Sequence, residues 1–333
     1  MIKYLVAGLV LLSINVTAVA LPTAKLTLKV VDEASNPIEG AESGLIFYTA
    51  TWGKPVNTRD KDITDSNGLF TGSGGSSQYI GYGATKDGYY RTWGGKFRMD
   101  SISGIPGFRR WQPWNPTVEV VLKKKINPIA LYAHNMQLLT KKLPEIPVLN
   151  RFIGYDLIAR DWVVPHGLGT HRDFLFKLEN HRVVGDRDYH VTLTLQFPNE
   201  GDGIQSHFDQ PDVGSRLRLP HNAPTTGYLK EVIINRERSP GKHSKPENIR
   251  NRDDQNYFFR VRTEKDEKGN IVSALYGKVH GGIDLLGFAV GFDTGRVKFN
   301  YYLNPAPNDT NLEFDTRKNL FTDLTRQEEV GNP

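Results

Sequence analysis

Two turn-bearing segments decide the fold of the front of this chain: Asn36-Pro37-Ile38-Glu39-Gly40-Ala41 and Thr64-Asp65-Ser66-Asn67-Gly68-Leu69-Phe70. Each joins an alternating or apolar run to a tight turn rich in Asn, Asp, Gly or Pro. A third turn of this kind follows at Lys86-Asp87-Gly88-Tyr89-Tyr90. Short strands separated by such turns are typical of a small antiparallel β-sandwich.

The runs around these turns have the composition of β-strands. Lys25–Val31 alternates polar and apolar residues, so one of its faces is expected to be buried. Ile38 and Phe70 are expected to point inward, and Gly40 and Gly68 to adopt positive φ. The other predicted strands are Leu45–Thr51, Gly68–Thr71, Gln78–Thr85 and Thr117–Lys123. Together they predict a β-sandwich domain over residues 24–125.

The order of these motifs resembles the carboxypeptidase regulatory-like (transthyretin-like) domain, an Ig-like β-sandwich. The resemblance rests on Pro-Ile-x-Gly-Ala at 37–41, Thr-Asp-x-x-Gly-x-Phe at 64–70 and Lys-x-Gly-Tyr at 86–89, and it covers residues 25–124. It implies an exported, non-catalytic domain attached to something else, and it brings no catalytic residues with it. The chain departs from the family pattern in the long Gly- and aromatic-rich stretch from Tyr89 to Trp114.

Residues 151–320 are predicted to form a second, larger antiparallel β-sandwich, jelly-roll-like in type. Seven runs between Ile153 and Leu303 alternate or are apolar, and His190–Phe197 alternates most clearly. Asp266-Glu267-Lys268-Gly269-Asn270 predicts a hairpin turn. Asn199–Gly203 and the carboxylates after it could hold calcium, but they lack the spacing of a calcium-binding loop, so an ordinary loop is favoured. No long helical pattern accompanies these runs, so the predicted fold class is all-β.

The remaining segments are predicted to connect or to fray. Residues 126–150 are predicted to be a linker that holds either a short helix or an extended arm packed on the second domain. Residues 321–333 are predicted to be a flexible tail.

The first twenty residues have the pattern of a secretory signal peptide. Lys3 precedes an apolar run over Tyr4–Ile14, and Ala18-Val19-Ala20 is a small-x-small cleavage box. A membrane-spanning helix needs about 20 residues, and this apolar run is shorter. Cleavage after Ala20 is therefore favoured over an uncleaved anchor. No later segment is apolar enough to span a bilayer. An exported protein is expected, located in the periplasm, on the outer surface or secreted.

Composition excludes several classes of chemistry. The chain has no cysteine, which excludes thiol catalysis, disulfide exchange and cysteine-bound zinc. The net charge is only +5 and no basic stripe stands out, so nucleic acid is not expected as a partner. The sequence also lacks a Gly-x-Ser-x-Gly elbow, a His-Glu-x-x-His motif, a phosphate-binding Gly-Lys-Ser/Thr loop and a dinucleotide fingerprint.

The histidines draw attention to the second domain, since all nine lie after residue 130. His166, His171 and Asp173 form the densest group and are candidate ligands of a divalent metal. Their spacing matches no established metal motif, which favours solvent-facing side chains on a Gly-containing turn. No cofactor is therefore expected, with a divalent metal left as the open alternative.

Large aromatic residues suggest a ligand surface in the first domain. Tyr89, Trp93, Trp111 and Trp114, called the aromatic group below, are interspersed with Gly and Arg. Sugar rings stack their apolar faces on such side chains, and neighbouring Arg and Gln donate hydrogen bonds. The alternative is that the rings pack inward, because a long loop needs an anchor.

The favoured function is a non-catalytic binding or surface-associated protein that recognises a carbohydrate or another cell-surface component. A secreted hydrolase that cleaves a polysaccharide through the His-rich second domain is the first alternative. A structural spacer in a cell-envelope assembly is the second. Whether the protein is an enzyme is left undecided, with a non-enzyme favoured.

Overall fold

The protein is an all-β protein. The computed structural model describes residues 21–49, 57–105, 107–136, 143–185, 188–208, 214–238, 255–286 and 295–333, and the signal peptide predicted over residues 1–20 lies outside them. Within these ranges the regular structure consists of twenty β-strands, without an α-helix. Accordingly, no helix in the described ranges has the length and hydrophobicity that crossing a bilayer would require.

The chain divides into two compact units. Unit 1 comprises the described residues up to Val31 together with Ser35–Ala84 and Gly94–Val120. Unit 2 comprises Asp32–Ala34, Thr85–Trp93 and Val121–Pro333. The sequence placed a single boundary at residue 125, but the structure assigns residues 85–93 and 121–125 to unit 2. The reason is a set of backbone bonds that join these segments: Tyr90 N–H donates to Lys123 O at 2.7 Å, and Lys125 N–H donates to Gly88 O at 2.8 Å.

Two sheets are built from the first part of the chain. Their strands are β1 (Thr23–Val31), β2 (Glu42–Phe47), β3 (Thr58–Ile63), β4 (Leu69–Gly75), β5 (Tyr79–Thr85), β6 (Thr92–Arg98), β7 (Ser101–Ser103), β8 (Arg110–Gln112) and β9 (Thr117–Val121). One sheet has the order β4-β1-β8-β7, with β9 also paired to β1, and the other has the order β3-β2-β5-β6. Gly74 of β4 lies against the ring of Phe47 of β2, so closely that a Cβ there would come within 2.7 Å of it. The two sheets therefore stack face to face as a sandwich.

The predicted turns of unit 1 are confirmed. Gly40 and Gly68 have φ of 67° and 72°, and Ile38 and Phe70 are 5% and 6% exposed. A Cβ on Gly68 would lie 2.4 Å from the carbonyl oxygen of Val30, so the position needs glycine both for its φ and for the close approach of β1.

Unit 2 contains a six-stranded and a five-stranded sheet. Their strands are β10 (Ile129–His134), β11 (Ile153–Asp156), β12 (Asp161–Trp162), β13 (Phe174–Gly185), β14 (Asp188–Gln196), β15 (Gly203–Phe208), β16 (Glu231–Arg238), β17 (Gln255–Lys265), β18 (Ile271–Leu286), β19 (Arg296–Leu303) and β20 (Phe314–Asn319). The strand orders are β15-β17-β18-β19-β10-β20 and β12-β11-β13-β14-β16. All pairs in these two sheets are antiparallel except β10 with β20, which run parallel. The turn predicted at Asp266–Asn270 is confirmed, because Asp266 N–H donates to Asn270 O at 2.9 Å.

Aromatic rings from both sheets of unit 2 meet in one core. The ring centres of Phe174 (β13) and Phe259 (β17) are 5.1 Å apart, and those of Tyr155 (β11) and Phe299 (β19) are 5.9 Å apart. Such edge-to-face pairs stabilise the fold by more than the burial of their apolar area alone would. The opposite face of the six-stranded sheet is also covered, with Phe258 and Tyr276 packed on Leu219 and Leu312.

Two expectations for unit 2 can be compared with the structure. Residues 129–134 form β10 between β19 and β20, so this part of the predicted linker is extended and packed in unit 2, as in the extended-arm alternative, and is not a helix; residues 137–142 lie outside the described residues. Residues 321–333, predicted to be a flexible tail, lie against the sheet. Asn135 N–H donates to Glu328 O at 2.9 Å, Tyr302 donates its hydroxyl proton to Asn332 O at 2.9 Å, and Val330 packs beside Leu131.

Candidate functional site

The aromatic group is divided between the two units. Tyr89 and Trp93 belong to unit 2, whereas Trp111 and Trp114 belong to unit 1. Tyr89 and Trp93 are half-buried, and Trp114 is 38% exposed with the Arg110 guanidinium 4.8 Å from its ring centre. Neither unit by itself presents all four rings on one surface.

Trp111 is a core residue and not a surface for stacking. Its side chain is buried, and its indole N–H donates a 2.8 Å hydrogen bond to Ser76 O. This bond satisfies the one polar group of the ring inside unit 1. Trp111 thus follows the alternative that the sequence left open, in which an aromatic side chain anchors the long Tyr89–Trp114 stretch.

The predicted metal ligands do not converge. His166 and His171 are exposed, whereas Asp173 is buried. Both oxygens of Asp173 are bound by the Arg262 guanidinium, at 2.7 and 2.9 Å, and one also accepts the N–H of Leu157. Among the residues that the structure describes, no group of three His, Asp or Glu side chains is placed to hold a metal ion.

The neighbouring carboxylate, Asp156, organises the same loop. Burial alone would raise its pKa, but the backbone N–H groups of Ala159, His171, Thr170 and Ile158 outweigh burial and hold the pKa below its usual value. Asp156 therefore stays ionised as the acceptor that shapes the turn around His171. Its carboxylate oxygens are occupied by backbone N–H groups of this loop, at 2.9 to 3.0 Å.

A polar pocket of about 440 Å³ lies within unit 2 and includes Tyr89 of the aromatic group. One side is formed by residues 85–91, which leave the end of β5, and the other by β20 from Phe314 to Arg317. Lys125 and Arg216 complete the rim. The volume is in the range of sites that bind a small ligand.

Tyr90 and Glu313 join the two sides of this pocket from beneath. The Tyr90 hydroxyl donates a 2.8 Å hydrogen bond to Glu313 Oε1, and both side chains are buried. The Glu313 carboxylate also accepts the backbone N–H groups of Ile126 and Asn127, at 2.9 and 2.7 Å. Burial raises the pKa of Tyr90 far above its usual value, helped by the hydrogen bond to Glu313, so this hydroxyl remains protonated.

Positive charge predominates around the pocket. Its lining holds five side-chain cations, Lys86, Arg91, Lys125, Arg216 and Arg317, and two side-chain carboxylates, Asp87 and Asp315. Asp315 is already paired with Arg317 at 3.2 Å and Lys318 at 3.4 Å, and hydrogen bonding from Arg317 lowers its pKa to about 2. The pocket therefore attracts an anion and offers several N–H donors to it.

A buried lysine lies behind the pocket on the six-stranded sheet. Lys278 is fully buried, donates to Leu312 O at 2.8 Å and lies 4.6 Å from the centre of the Tyr302 ring. Burial and, to a smaller extent, the charge of Lys123 lower its pKa to about 7, while Glu313 opposes the change. Lys278 does not line the pocket, so we expect it to affect the stability of the fold and not ligand binding.

Sequence reasoning found one wall of this pocket and missed the other. Tyr89 was singled out as an aromatic residue in a turn, but Arg216 and Arg317 stand in stretches without a motif. The signal that could have predicted the second wall is the alternation in Glu313-Phe314-Asp315-Thr316-Arg317, which fits a strand with one charged face. Only the pairing of β20 with β10 reveals what that strand faces.

Comparison with known proteins does not assign this chain to a family. Neither a protein-family model nor a curated protein matches the chain. Among solved structures, 3-chlorocatechol 1,2-dioxygenase from Rhodococcus opacus is similar over 37% of this chain and 70% of its own, at 14% identity and a TM-score of 0.26. A streptococcal ancillary pilin is similar over 66% of this chain and 60% of its own, at 13% identity and a TM-score of 0.22. The major pilin subunit of Bacillus cereus is similar over 83% and 95%, at 12% identity and a TM-score of 0.21. These values are too low to carry function from one protein to another.

Proposed function

We propose that this protein is a non-catalytic binding protein whose unit 2 pocket recognises an acidic saccharide. The observation that carries this proposal is the excess of three side-chain cations around a 440 Å³ pocket that also contains Tyr89. A uronic or sulfated sugar would bring negative charge to this net positive lining, whereas an uncharged sugar would bring none.

The pocket supplies two complementary kinds of contact. Tyr89 provides an aromatic face for the apolar side of a sugar ring. Arg91 and Arg216 provide planar guanidinium groups, which bind carboxylate and sulfate with paired N–H donors. A ligand that uses both kinds of contact is a negatively charged carbohydrate.

Two ionisable groups of the pocket, Asp315 and Tyr90, are poorly suited to catalysing hydrolysis. A glycosidase needs a carboxyl group that is protonated near neutral pH to act as general acid. The pKa of Asp315 is lowered to about 2 by Arg317, and the pKa of Tyr90 is raised by burial, so neither group exchanges a proton at neutral pH. The hydrolase alternative also assigned the chemistry to His166 and His171, which do not meet Asp173 in a common site.

The proposed setting is outside the inner membrane. Its support is the signal-peptide pattern over residues 1–20, and N-terminal sequencing of the exported protein, expected to begin at Leu21, would test it.

Calorimetric titration of the full chain with oligogalacturonate, beside a neutral oligosaccharide of equal length, tests the binding proposal. We expect saturable binding of the acidic ligand only, weakened by salt because the cations are at the surface. Arg91→Gln and Lys125→Gln should each weaken it about tenfold, and Tyr89→Ala should weaken it as well. Lys268→Gln, which removes an equally exposed cation in the 266–270 turn, is the matched control and should bind as the wild type does.

Three results would overturn the proposal. The first is equal affinity for the acidic and the neutral ligand. The second is a loss of affinity in Lys268→Gln as large as that in Arg91→Gln. The third is the absence of saturable binding both of oligogalacturonate and of a sulfated oligosaccharide used as the second probe.

A further inference from the structure

The β7–β8 hairpin of unit 1 carries two large apolar side chains at its tip. Ser101, Ile102 and Ser103 pair with Gln112, Trp111 and Arg110, so β7 and β8 form an antiparallel hairpin. Within this loop, Ile105 is 68% exposed and Phe108 is 76% exposed. Exposed residues of this size beside one another mark an interaction site more often than a random surface.

The tip is held in a defined shape. Phe108 N–H donates to Ile105 O at 2.9 Å, and Gly104 and Gly107 have φ of 97° and 90°, which suits glycine. A Cβ on Gly104 would lie 2.5 Å from Phe108 O, so the two ends of the loop are in close contact. The main chain that carries Ile105 and Phe108 is thus already turned before binding, which lowers the cost of ordering it.

Arginines stand directly behind the apolar tip. Arg109 and Arg110 follow Phe108, and Arg110 closes the hairpin opposite Ser103. The Arg110 guanidinium lies 4.8 Å from the ring centre of Trp114. Within the described parts of the chain, neither Arg109 nor Arg110 forms a salt bridge with a protein carboxylate.

This order of apolar tip, then cations, then an indole matches the layers of an anionic bilayer. Apolar side chains enter the acyl boundary, Arg side chains meet the phosphates, and Trp lies at the headgroup level. A protein partner fits less well, because a stable interface buries about 800 Å² on each side and a hairpin end is a small convex feature. A saccharide would leave Phe108 and Ile105 in water.

We propose that the β7–β8 hairpin docks on an anionic lipid surface, with Ile105 and Phe108 inserted and Arg109 and Arg110 at the phosphates. The geometry also explains why the sequence has Gly104 and Gly107 here, since their positive φ permits the tight turn that presents Ile105 and Phe108. Docking through unit 1 leaves the pocket in unit 2 as a separate site, so each proposal can fail without the other.

Co-sedimentation of the full chain with vesicles of phosphatidylcholine, with and without phosphatidylglycerol, tests this inference. We expect binding to the anionic vesicles that falls at high salt. Phe108→Ser and Ile105→Ser should each reduce the vesicle-bound to free ratio about tenfold, and Arg109→Gln combined with Arg110→Gln should remove the preference for phosphatidylglycerol.

Leu168→Ser is the matched control, because Leu168 is 84% exposed on a loop of unit 2. It should bind vesicles as the wild type does, and unchanged thermal unfolding of every variant would show that the fold is intact. The inference is overturned if the wild type does not bind anionic vesicles, if Phe108→Ser binds as well as the wild type, or if Leu168→Ser loses binding to the same extent.

Discussion

The Tyr90 hydroxyl and Glu313 Oε1, 223 positions apart in the chain, are joined by a 2.8 Å hydrogen bond. Tyr90 stands in the segment after β5, and Glu313 immediately precedes β20. Since the acceptor is a buried carboxylate, this bond belongs to the stronger class of hydrogen bonds in proteins. It fixes the two sides of the proposed binding pocket relative to each other.

Removing that hydroxyl should destabilise the protein measurably. Tyr90→Phe takes one donor from a buried carboxylate and should lower the free energy of unfolding by about 2 kcal/mol. Urea unfolding followed by tryptophan fluorescence measures it. Tyr228→Phe is the matched control, because the Tyr228 hydroxyl donates to a neutral acceptor, Pro224 O, at 2.7 Å. Tyr228→Phe should lower the free energy of unfolding by about 1 kcal/mol. An equal decrease in both variants would mean that the hydrogen bond to Glu313 is no stronger than one to a neutral acceptor.

Lys278 should make stability depend on pH in a definite direction. Its pKa falls from 10.5 to about 7 on folding, so between these values the unfolded chain binds more protons than the folded chain. Stability from this group therefore rises as pH increases from about 7 to 10.5, and the penalty for burying the charge is complete below pH 7.

The Lys278→Met variant isolates this contribution. Relative to the wild type it should be more stable at neutral pH, since an apolar side chain of similar length removes a buried charge. The advantage should shrink as the pH is raised toward 10.5. Guanidinium unfolding of both proteins across this range measures the difference, and a gap that stays constant with pH would show that Lys278 is not deprotonated in that window.

Gly68 should be among the least replaceable glycines of unit 1. Gly68→Ala places a methyl group 2.4 Å from Val30 O at a φ of 72°, and we expect a loss of about 3 kcal/mol from the strain and the displaced strand together. Gly88→Ala is the control, since φ is 80° there but no atom lies within 4 Å of the added carbon. It should cost about 1 kcal/mol. Thermal unfolding of the two variants compares them, and equal losses would mean that the contact with β1 is unimportant.

Local patterns in the sequence predicted the turns well and the edges of the sheets poorly. The Gly40, Gly68 and Asp266–Asn270 turns were predictable because a few side chains determine each of them. Gly203–Phe208 and Phe314–Asn319 were not recognised as strands, since three residues of the first and five of the second are polar and both lie at the edges of the six-stranded sheet. Edge strands commonly carry charge, which hides their periodicity.

The candidate site was predictable only in part, for a related reason. Tyr89 could be singled out from its neighbours, but the cationic pocket is assembled from segments around residues 86–91, 125, 216 and 317. No local pattern connects segments that meet only through strand pairing. The burial of Trp111 could not be predicted either, because a tryptophan in a Gly-rich stretch has the same local sequence whether its ring faces water or the core.

The position of β10 has a practical consequence for cutting the chain into parts. A recombinant fragment beginning at residue 151 would lack the strand between β19 and β20. It would leave β20 unpaired, open one edge of β19 and uncover the apolar surface around Tyr302 and Phe314. Such a fragment would tend to aggregate through its open sheet edges. Modular reuse of unit 2, for example as a fusion partner, therefore has to retain the chain from before Ile129.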